Sequence, residues 1–272
     1  MKFIEKLNAA IKKNNSLVCV GLDSDHTKLP TIVADTQMLM LTFNKAIITA
    51  TADLVCAYKP NSAFYEALGE PGIKQLKATC DFLRENYPDI PIILDAKRGD
   101  IGNTNDGYVS FVFDYLGVDA LTLHPYLGKE SLSPFLALGD KGCIILCRTS
   151  NPGAGELQDL IVDNQPLYQK IAKDVIEDWN ELGNCLLVVG ATYPKELAIL
   201  RKMAPNMTFL VPGIGAQGGD LEAALKAGLT KDKRGLIINS ARNIIFASSK
   251  EDYADVARAE TIKLKKAINM GR

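Results

Sequence analysis

The sequence of residues 90–104 is Ile-Pro-Ile-Ile-Leu-Asp-Ala-Lys-Arg-Gly-Asp-Ile-Gly-Asn-Thr, and it indicates how the rest of the chain is built. Its first five residues are apolar and show no polar alternation, which is typical of a strand that is covered on both faces. Charged residues begin abruptly at Asp95, and Lys97 and Asp100 follow. We therefore predict a buried strand whose carboxyl end carries a group of charged side chains.

Short apolar runs of this kind recur along the chain and alternate with segments of helical periodicity. Eight runs rich in Val, Ile and Leu occupy residues 17–22, 54–58, 90–94, 120–123, 143–146, 185–189, 209–211 and 236–238. Helical patterns occupy residues 73–87, 108–116, 167–182, 195–203 and 221–227, with further helices expected at 3–14 and 252–269. This alternation predicts parallel strands joined by right-handed crossovers.

Eight such units in 272 residues favour a closed barrel over an open doubly wound sheet. We predict an α/β fold, a single-domain (β/α)8 TIM barrel that spans residues 1–272 and begins with an N-terminal helix. Residues 151–166 form the longest stretch with loop character, which makes them a candidate insertion or lid. In a barrel of this kind the chemistry lies at the carboxyl ends of the strands, where polar residues accumulate in this sequence.

The composition excludes several classes of protein. The 31 basic and 32 acidic side chains give a net charge of −1. The chain therefore lacks the excess of positive charge that binding to nucleic acid or to an anionic membrane requires. The six cysteines form no Cys-x-x-Cys pair and only two histidines are present, so we expect no metal site. No secretory signal or long apolar span is evident. We therefore expect a cytoplasmic protein with buried, reduced cysteines.

The charged group after the third run predicts a reactive cluster at the mouth of the barrel. Strand side chains alternate, so Asp95 and Lys97 are expected to face the same way. Lys59 follows the second run and can reach the same space, and Asp100 lies just beyond the third strand. Carboxylates hold a nearby lysine in its charged form, and a fixed negative charge beside a substrate carboxylate favours its departure. A purely structural network of ion pairs is the alternative.

The segments after the seventh and eighth runs predict a phosphate site. Gly213, Gly215 and Gln217 follow the seventh run, and Arg242 follows the eighth. Barrels often bind phosphate with these two loops, through backbone N–H groups and side chains that reach two phosphate oxygens. A glycine-rich turn beside a surface arginine is the alternative.

Residues 94–104 closely resemble the signature of the orotidine 5′-phosphate decarboxylase family. Further matching segments are Gly-Leu-Asp at 21–23, Tyr-Lys-Pro-Asn at 58–61, Thr-Ser-Asn-Pro-Gly at 149–153, Pro-Gly-Ile-Gly-Ala-Gln-Gly-Gly at 212–219 and Ser-Ala-Arg at 240–242. The segment Arg-Gly-Asp-Ile-Gly-Asn-Thr and the chain length are similar to those of the longer branch of the family. The resemblance implies cofactor-independent decarboxylation of orotidine 5′-monophosphate to UMP in de novo pyrimidine biosynthesis.

The resemblance also implies a role for each residue that matches at the reacting end of the site. Lys97 resembles the proton donor to the carbon that loses carbon dioxide, and Asp95 resembles the carboxylate beside the leaving group. Lys59 resembles the residue that orders the array and touches the ribose. Asp100 and Thr104 resemble residues that enter the site of a second subunit, which implies a homodimer.

The remaining matches imply contacts with the rest of the substrate. Asp23 resembles the residue that bonds a ribose hydroxyl, and Ser150 resembles the residue that reads the edge of the pyrimidine. Gln217 and Arg242 resemble the residues that grip the phosphate, beside the glycines at 213 and 215. His124 is interpreted as a packed or hydrogen-bonded histidine rather than a site residue.

Two other classes of function compete with this interpretation. One is a related phosphate-binding barrel that uses a divalent metal, such as a sugar-phosphate decarboxylase or an aldolase with a similar Asp-x-Lys-x-x-Asp pattern. It would need a further acidic metal ligand, and beyond Asp95 no obvious glutamate follows the second or third strand to supply it. The other is a phospholigand-binding protein that keeps the barrel without the chemistry.

Overall fold

The computed structural model describes residues 1–34, 36, 38–214 and 219–272, and within them eight parallel strands form one sheet. The strands are Val18–Leu22 (β1), Ala57–Pro60 (β2), Ile93–Arg98 (β3), Ala120–Leu123 (β4), Gly142–Arg148 (β5), Cys185–Val189 (β6), Phe209–Val211 (β7) and Leu236–Ser240 (β8). Neighbouring strands are hydrogen-bonded in the order β2-β1-β8-β7-β6-β5-β4-β3. Parallel bridges Tyr58–Ile92 and Asn61–Asp95 join β2 to β3 and close the barrel. The predicted barrel is confirmed, and each predicted run overlaps a strand.

Helices connect the strands and cover the outside of the barrel. They are Phe3–Asn14 (α1), Thr31–Ala34 (α2), Leu39–Thr51 (α3), Ser62–Glu66 (α4), Glu70–Asn86 (α5), Gly102–Val109 (α6), Gly128–Leu136 (α7), Gly155–Gln158 (α8), Leu167–Asp174 (α9), Pro194–Met203 (α10), Leu221–Gly228 (α11), Arg242–Ile245 (α12) and Tyr253–Met270 (α13). Three-residue 3₁₀ turns are found at His26–Lys28, Ala52–Leu54 and Pro152–Ala154. The bounds predicted for α1 agree with the structure, whereas α3 was not predicted.

Two predicted helices differ from the observed ones in their last turns. The segment predicted at 108–116 lies mainly in a π-helical turn, Ser110–Tyr115, that continues α6. The segment predicted at 167–182 is α9 followed by a second π-helical turn, Val175–Trp179. It ends early because Asn180 leaves the helical conformation and its Oδ1 accepts a hydrogen bond from the Cys185 backbone N–H at 2.8 Å.

Residues 151–166 were predicted to be a loop, but the structure gives them regular elements. A 3₁₀ turn leads into α8, and a two-stranded antiparallel hairpin follows, with strands Ile161–Val162 and Gln165–Pro166. Asp163 and Asn164 have φ angles of 51° and 62°, the left-handed conformation that two-residue hairpin turns require. Residues 151–166 are therefore a compact, folded connection between β5 and α9.

The barrel strands are buried on both faces, as their continuous apolar character predicted. β1, β2, β4 and β6 are buried along their whole length, and the side chains of α1, α3 and α13 pack outside them. All six cysteines are buried and unpaired, as expected. Within the described residues, no helix combines the length and the apolar character that crossing a membrane requires.

Candidate active site

A cavity of about 500 Å³ opens at the carboxyl ends of the barrel strands. This is the end at which barrels of this type carry their chemistry. Seven of the predicted site residues line it: Asp23, Lys59, Asp95, Lys97, Ser150, Gly213 and Arg242. The predicted residues Gly215 and Gln217 lie outside the described residues. Asp100 and Thr104 are described but do not line this cavity.

Lys59, Asp95 and Lys97 form one continuous ion-pair array on the cavity wall. The Lys59 Nζ atom lies 2.6 Å from Oδ2 of Asp95, and the Lys97 Nζ atom lies 2.5 Å from Oδ1 of the same carboxylate. Lys59 is almost fully buried, with 3% of its side chain exposed, whereas half of the Lys97 side chain is exposed to the cavity. One carboxylate therefore orients two ammonium groups, and the more accessible of them faces the space for a substrate.

The electrostatics of the array favour its charged form. Burial alone would disfavour a charge on Lys59, but the carboxylates of Asp95 and Asp23 outweigh burial and raise the pKa of Lys59 above its usual value. Burial would likewise raise the pKa of Asp95, but the two lysines outweigh it and hold that pKa well below its usual range. Both groups thus carry full charges at neutral pH, in a site that is partly removed from water.

The backbone of β3 is irregular where it carries the array. Leu94 pairs with Leu121 of β4, but the next paired residue is Arg98, opposite Leu123, so the register shifts between them. Lys97 has a φ angle of 47°, a left-handed conformation that is uncommon for a residue with a side chain. The expectation that Asp95 and Lys97 converge is confirmed. A bulge in β3, rather than the alternation of a regular strand, brings the two side chains together.

Asp23 extends beyond the end of β1 on the neighbouring part of the wall. Its Oδ1 atom is buried and has no hydrogen-bond partner among the described residues. Burial raises the pKa of Asp23, against the opposing effect of Lys59. The Oδ1 atom of Asn239, on β8, is a further buried acceptor on this wall that lacks a partner in the described part of the chain, and it was not predicted. These two acceptors suit a ligand that brings hydroxyl donors.

The segment after β5 supplies the opposite wall. Ser150, Thr149 and Gln158 all line the cavity. The Gln158 side chain holds Thr149 at two points, because its Oε1 accepts from the Thr149 backbone N–H at 2.9 Å and its Nε2 donates to the Thr149 hydroxyl at 2.8 Å. Buried Arg148 also donates to Gln158, and its guanidinium stacks 3.8 Å from the centre of the Tyr193 ring. Gln158 was not predicted, because its contacts depend on how α8 folds back.

The wall after β7 and β8 contains the described part of the predicted phosphate site. Gly213 has a φ angle of 98°, which favours glycine. A side chain at Gly219 would meet the Gly213 carbonyl oxygen at 2.7 Å, so the backbone approaches itself closely there. Arg242, at the start of α12, is exposed and lines the cavity. An exposed guanidinium beside closely packed backbone is compatible with an anionic ligand group.

Asp100 and Thr104 lie beyond the cavity, just before α6 and in its first turn. The Asp100 backbone N–H donates to Oδ1 of buried Asn105 at 2.9 Å, and Thr104 is exposed. His124 is not a wall residue, and its Nε2 atom lies 2.8 Å from the Gly99 carbonyl oxygen. His124 is therefore a hydrogen-bonded histidine, as expected. Of the predicted array, three members meet in this chain and Asp100 stays apart.

A glutamate that follows β2 lies beside the end of β3, contrary to expectation. Glu66, at the end of α4, forms an ion pair with Arg98. Arg98 also donates to the Ala96 carbonyl oxygen at 3.1 Å and lies over the Tyr108 ring, so Glu66 is engaged at the back of β3. In the part of the chain that the structure describes, no group of three His, Cys, Asp or Glu side chains is placed to hold a metal ion.

Comparison with known proteins assigns the chain to a family. Residues 16–256 match the model of the orotidine 5′-phosphate decarboxylase / HUMPS family. The orotidine 5′-phosphate decarboxylase of Cellvibrio japonicus is 50% identical over 274 aligned positions, which cover 100% of both chains. That of a Janthinobacterium species is 48% identical and covers 99% of this chain and 98% of its own.

A solved structure extends the likeness to three dimensions. The OMP decarboxylase of Leishmania donovani superposes with a TM-score of 0.86 at 40% identity, over 99% of this chain and 98% of its own. The sequence resemblance at residues 94–104 is thus matched by similarity along almost the whole chain. The chain therefore belongs to the orotidine 5′-phosphate decarboxylase / HUMPS family, and it is an enzyme of the decarboxylase branch.

Proposed function

We propose that this enzyme converts orotidine 5′-monophosphate to UMP and carbon dioxide in cytoplasmic pyrimidine biosynthesis, without a metal or an organic cofactor. The observation that carries the proposal is the Lys59–Asp95–Lys97 array at the cavity, with Nζ–Oδ distances of 2.6 and 2.5 Å. We further propose that residues 1–272 act as one domain, because the helices at both ends of the chain pack on the same barrel.

Lys97 is proposed to be the proton donor. When the bond between the pyrimidine carbon and its carboxylate breaks, carbon dioxide leaves and the electron pair stays on the carbon. The Lys97 ammonium stabilises that pair and then gives it a proton, which leaves a neutral amine to be reprotonated from water. An ammonium group that is already oriented by Asp95 achieves this without reorganisation, and this is the largest source of catalysis in many enzymes.

Asp95 is proposed to act on the leaving group. Its carboxylate is fixed between two lysines, so a substrate carboxylate bound beside Lys97 would lie close to a second negative charge. Departure of that carboxylate as neutral carbon dioxide relieves the repulsion. Lys59 is proposed to keep Asp95 charged and to contact the ribose, and its burial and ion pair support the first of these roles.

The rest of the cavity is proposed to bind the remote parts of the nucleotide. Asp23 would accept a hydrogen bond from a ribose hydroxyl, which its buried, unpartnered Oδ1 atom favours. Ser150 would read the pyrimidine edge, on the segment that Gln158 holds. Arg242 would bind the phosphate, together with Gly213 and with Gly215 and Gln217. Binding energy from a phosphate far from the reacting carbon can be used to position that carbon.

A homodimer is the proposed assembly, with Asp100 and Thr104 reaching the site of the second subunit. Neither residue lines the cavity of its own chain. They flank Ile101, which is 61% exposed, and the loop after β4 exposes Tyr126 and Leu127. Large exposed apolar side chains beside an active-site mouth are typical of a surface that a second subunit covers.

The test is the ultraviolet absorbance of orotidine 5′-monophosphate with the purified enzyme in excess EDTA. Conversion to UMP under these conditions supports the proposal. Turnover that disappears in EDTA and returns with a divalent metal would favour the metal-dependent barrel, for which sugar phosphates are the next substrates to try. Tight binding of the nucleotide with no turnover would favour the phospholigand-binding protein.

A further inference from the structure

The bulge in β3 leaves two backbone N–H groups without their usual partners in a parallel ladder. Four residue steps separate Leu94 from Arg98 on β3, while two steps separate their partners Leu121 and Leu123 on β4. The extra residues of β3 therefore stand opposite a single residue of β4, Thr122. Buried N–H groups that lose ladder bonds need another acceptor, since leaving them unpaired is costly.

Thr122 supplies that acceptor with its side chain. Its hydroxyl oxygen accepts from the Ala96 N–H at 3.1 Å and from the Lys97 N–H at 2.9 Å. It donates in turn to Oδ1 of Asp95 at 3.1 Å. A threonine hydroxyl has one proton to donate and two lone pairs to accept, so its full capacity is used. Thr122 is 1% exposed, so water does not compete for these bonds.

The three bonds tie Thr122 to the short segment that carries Asp95 and Lys97, two through backbone N–H groups and one through the Asp95 carboxylate. Oδ1 of Asp95 accepts both from Thr122 and from the Lys97 ammonium. The N–H of Lys97 is held while that residue keeps its left-handed φ angle of 47°. A backbone conformation of this kind persists only where its surroundings enforce it. The same hydroxyl therefore sets the path of the β3 backbone and the rotation of the Asp95 carboxylate.

We propose that Thr122, which also lines the cavity, is a positioning residue that fixes the geometry of Asp95 and Lys97 through its fully engaged hydroxyl. This inference rests on the proposed function, because it assigns Thr122 a purpose in the same proton transfer. It predicts that loss of the hydroxyl lowers the turnover rate more than the affinity, since a displacement of about 1 Å at a reacting group can cost about a hundredfold in rate.

The experiment compares Thr122→Val, which keeps the shape and loses the hydroxyl, with Thr122→Ser, which keeps the hydroxyl. Thr122→Ala replaces the valine variant if that variant does not fold. Thr261→Val is the matched control, because Thr261 is also fully buried and its hydroxyl donates within its own helix, to the Ala257 carbonyl oxygen. Each variant is measured for kcat and KM with orotidine 5′-monophosphate and for hydrogen exchange of the Ala96 and Lys97 amides.

The expected result is a fall in kcat of at least about tenfold in Thr122→Val with KM changed less than twofold, and recovery to within about threefold of wild type in Thr122→Ser. The two amides should exchange faster in Thr122→Val only. Unchanged kcat, a serine variant no better than valine, or unchanged exchange would overturn the inference. Failure of the wild type to decarboxylate would instead refute the proposed function, while the exchange comparison would still test the bonds of Thr122.

Discussion

The Lys59 ammonium lies 2.6 Å from Oδ2 of Asp95, and this ion pair is nearly closed off from solvent. Removing one partner of a buried pair leaves the other charge without compensation, which costs about 3–5 kcal/mol. We therefore expect Asp95→Asn to lower the free energy of unfolding by about 3 kcal/mol at pH 7. Urea unfolding followed by the fluorescence of Trp179, the one tryptophan of the chain, measures this.

The matched control for this stability loss is Lys13→Ala. Lys13 also pairs with an aspartate, Asp89 at 3.0 Å, but both side chains are about two-thirds exposed. Exposed pairs contribute little, so this variant should unfold almost as the wild type does. Equal effects of Asp95→Asn and Lys13→Ala would contradict the view that the buried pair stabilises the fold.

The contribution of Asp95 to the free energy of unfolding should decrease at acid pH. The lysines lower the pKa of Asp95 in the folded state below its value of about 3.9 in an unfolded chain. Its contribution is therefore present above about pH 4 and is lost as the pH falls further. The difference in free energy of unfolding between wild type and Asp95→Asn should shrink between pH 6 and pH 3. A constant difference over this range would contradict the assignment.

Asp23→Asn should have opposite effects on stability and on substrate binding. Burial raises the pKa of Asp23, so the ionised carboxylate is unfavourable in the folded state without substrate. The free energy of unfolding is therefore not reduced by Asp23 at acid pH, where its carboxyl is protonated. It falls as the pH rises through the pKa of Asp23 in the folded state. The amide should therefore raise the free energy of unfolding at pH 7, and this gain should vanish at acid pH.

In the same variant KM should rise by about tenfold to a hundredfold, because a hydrogen bond to a charged group contributes about 1.5–3 kcal/mol. Parallel urea titrations and steady-state kinetics give both quantities. A variant that is destabilised at pH 7 and keeps the wild-type KM would contradict the role proposed for Asp23.

Arg242→Ala should weaken recognition of the phosphate alone. The value of kcat/KM for orotidine 5′-monophosphate should fall by about tenfold to a hundredfold, as expected for a lost charge-assisted bond. For orotidine, which lacks the phosphate, kcat/KM should stay within twofold of wild type. Arg234→Ala is the control, because Arg234 is exposed before β8, at the opposite end of that strand from Arg242. Equal losses with both substrates would show that Arg242 does not act on the phosphate.

Mixed dimers test the shared site. Lys97→Ala and Asp100→Ala homodimers should each be inactive, since each lacks one proposed member of every site. If Asp100 serves the neighbouring subunit, hybrids of the two carry one site with both residues intact and activity should return. Activity that stays absent after subunit exchange has been confirmed by mass spectrometry would refute the shared site.

The barrel could be predicted because the signals that specify it are local. Each strand is a short apolar run, and the polar residue that ends it, such as Asp23 or Lys59, also marks the functional end. Asp95 and Lys97 could be placed together because they are two residues apart. Helix α3 was missed because its exposed face is formed mainly by threonines, Thr42 and Thr49 beside Lys45, and β-branched residues favour strands over helices.

The features that escaped prediction depend on contacts between distant segments. Alternation along β3 gave the correct face for Lys97, but the bulge and the left-handed φ angle arise from how β3 meets β4. Thr122 is the one polar residue in the run Ala-Leu-Thr-Leu, yet a threonine is also an ordinary strand residue. Gln158 was not singled out within the predicted lid, because the folding of residues 151–166 is what brings it back to Thr149.

The role of Lys97 is tested by comparing the conversion of orotidine 5′-monophosphate by wild type and by Lys97→Ala, side by side in EDTA. Half of the Lys97 side chain is exposed, so its removal should leave the unfolding curve close to that of the wild type. We predict rapid formation of UMP by wild type and a loss of kcat of at least about a thousandfold in the variant, since a preorganised ammonium is removed from the developing charge. A folded Lys97→Ala enzyme that decarboxylates the nucleotide at the wild-type rate would show that Lys97 is not the proton donor.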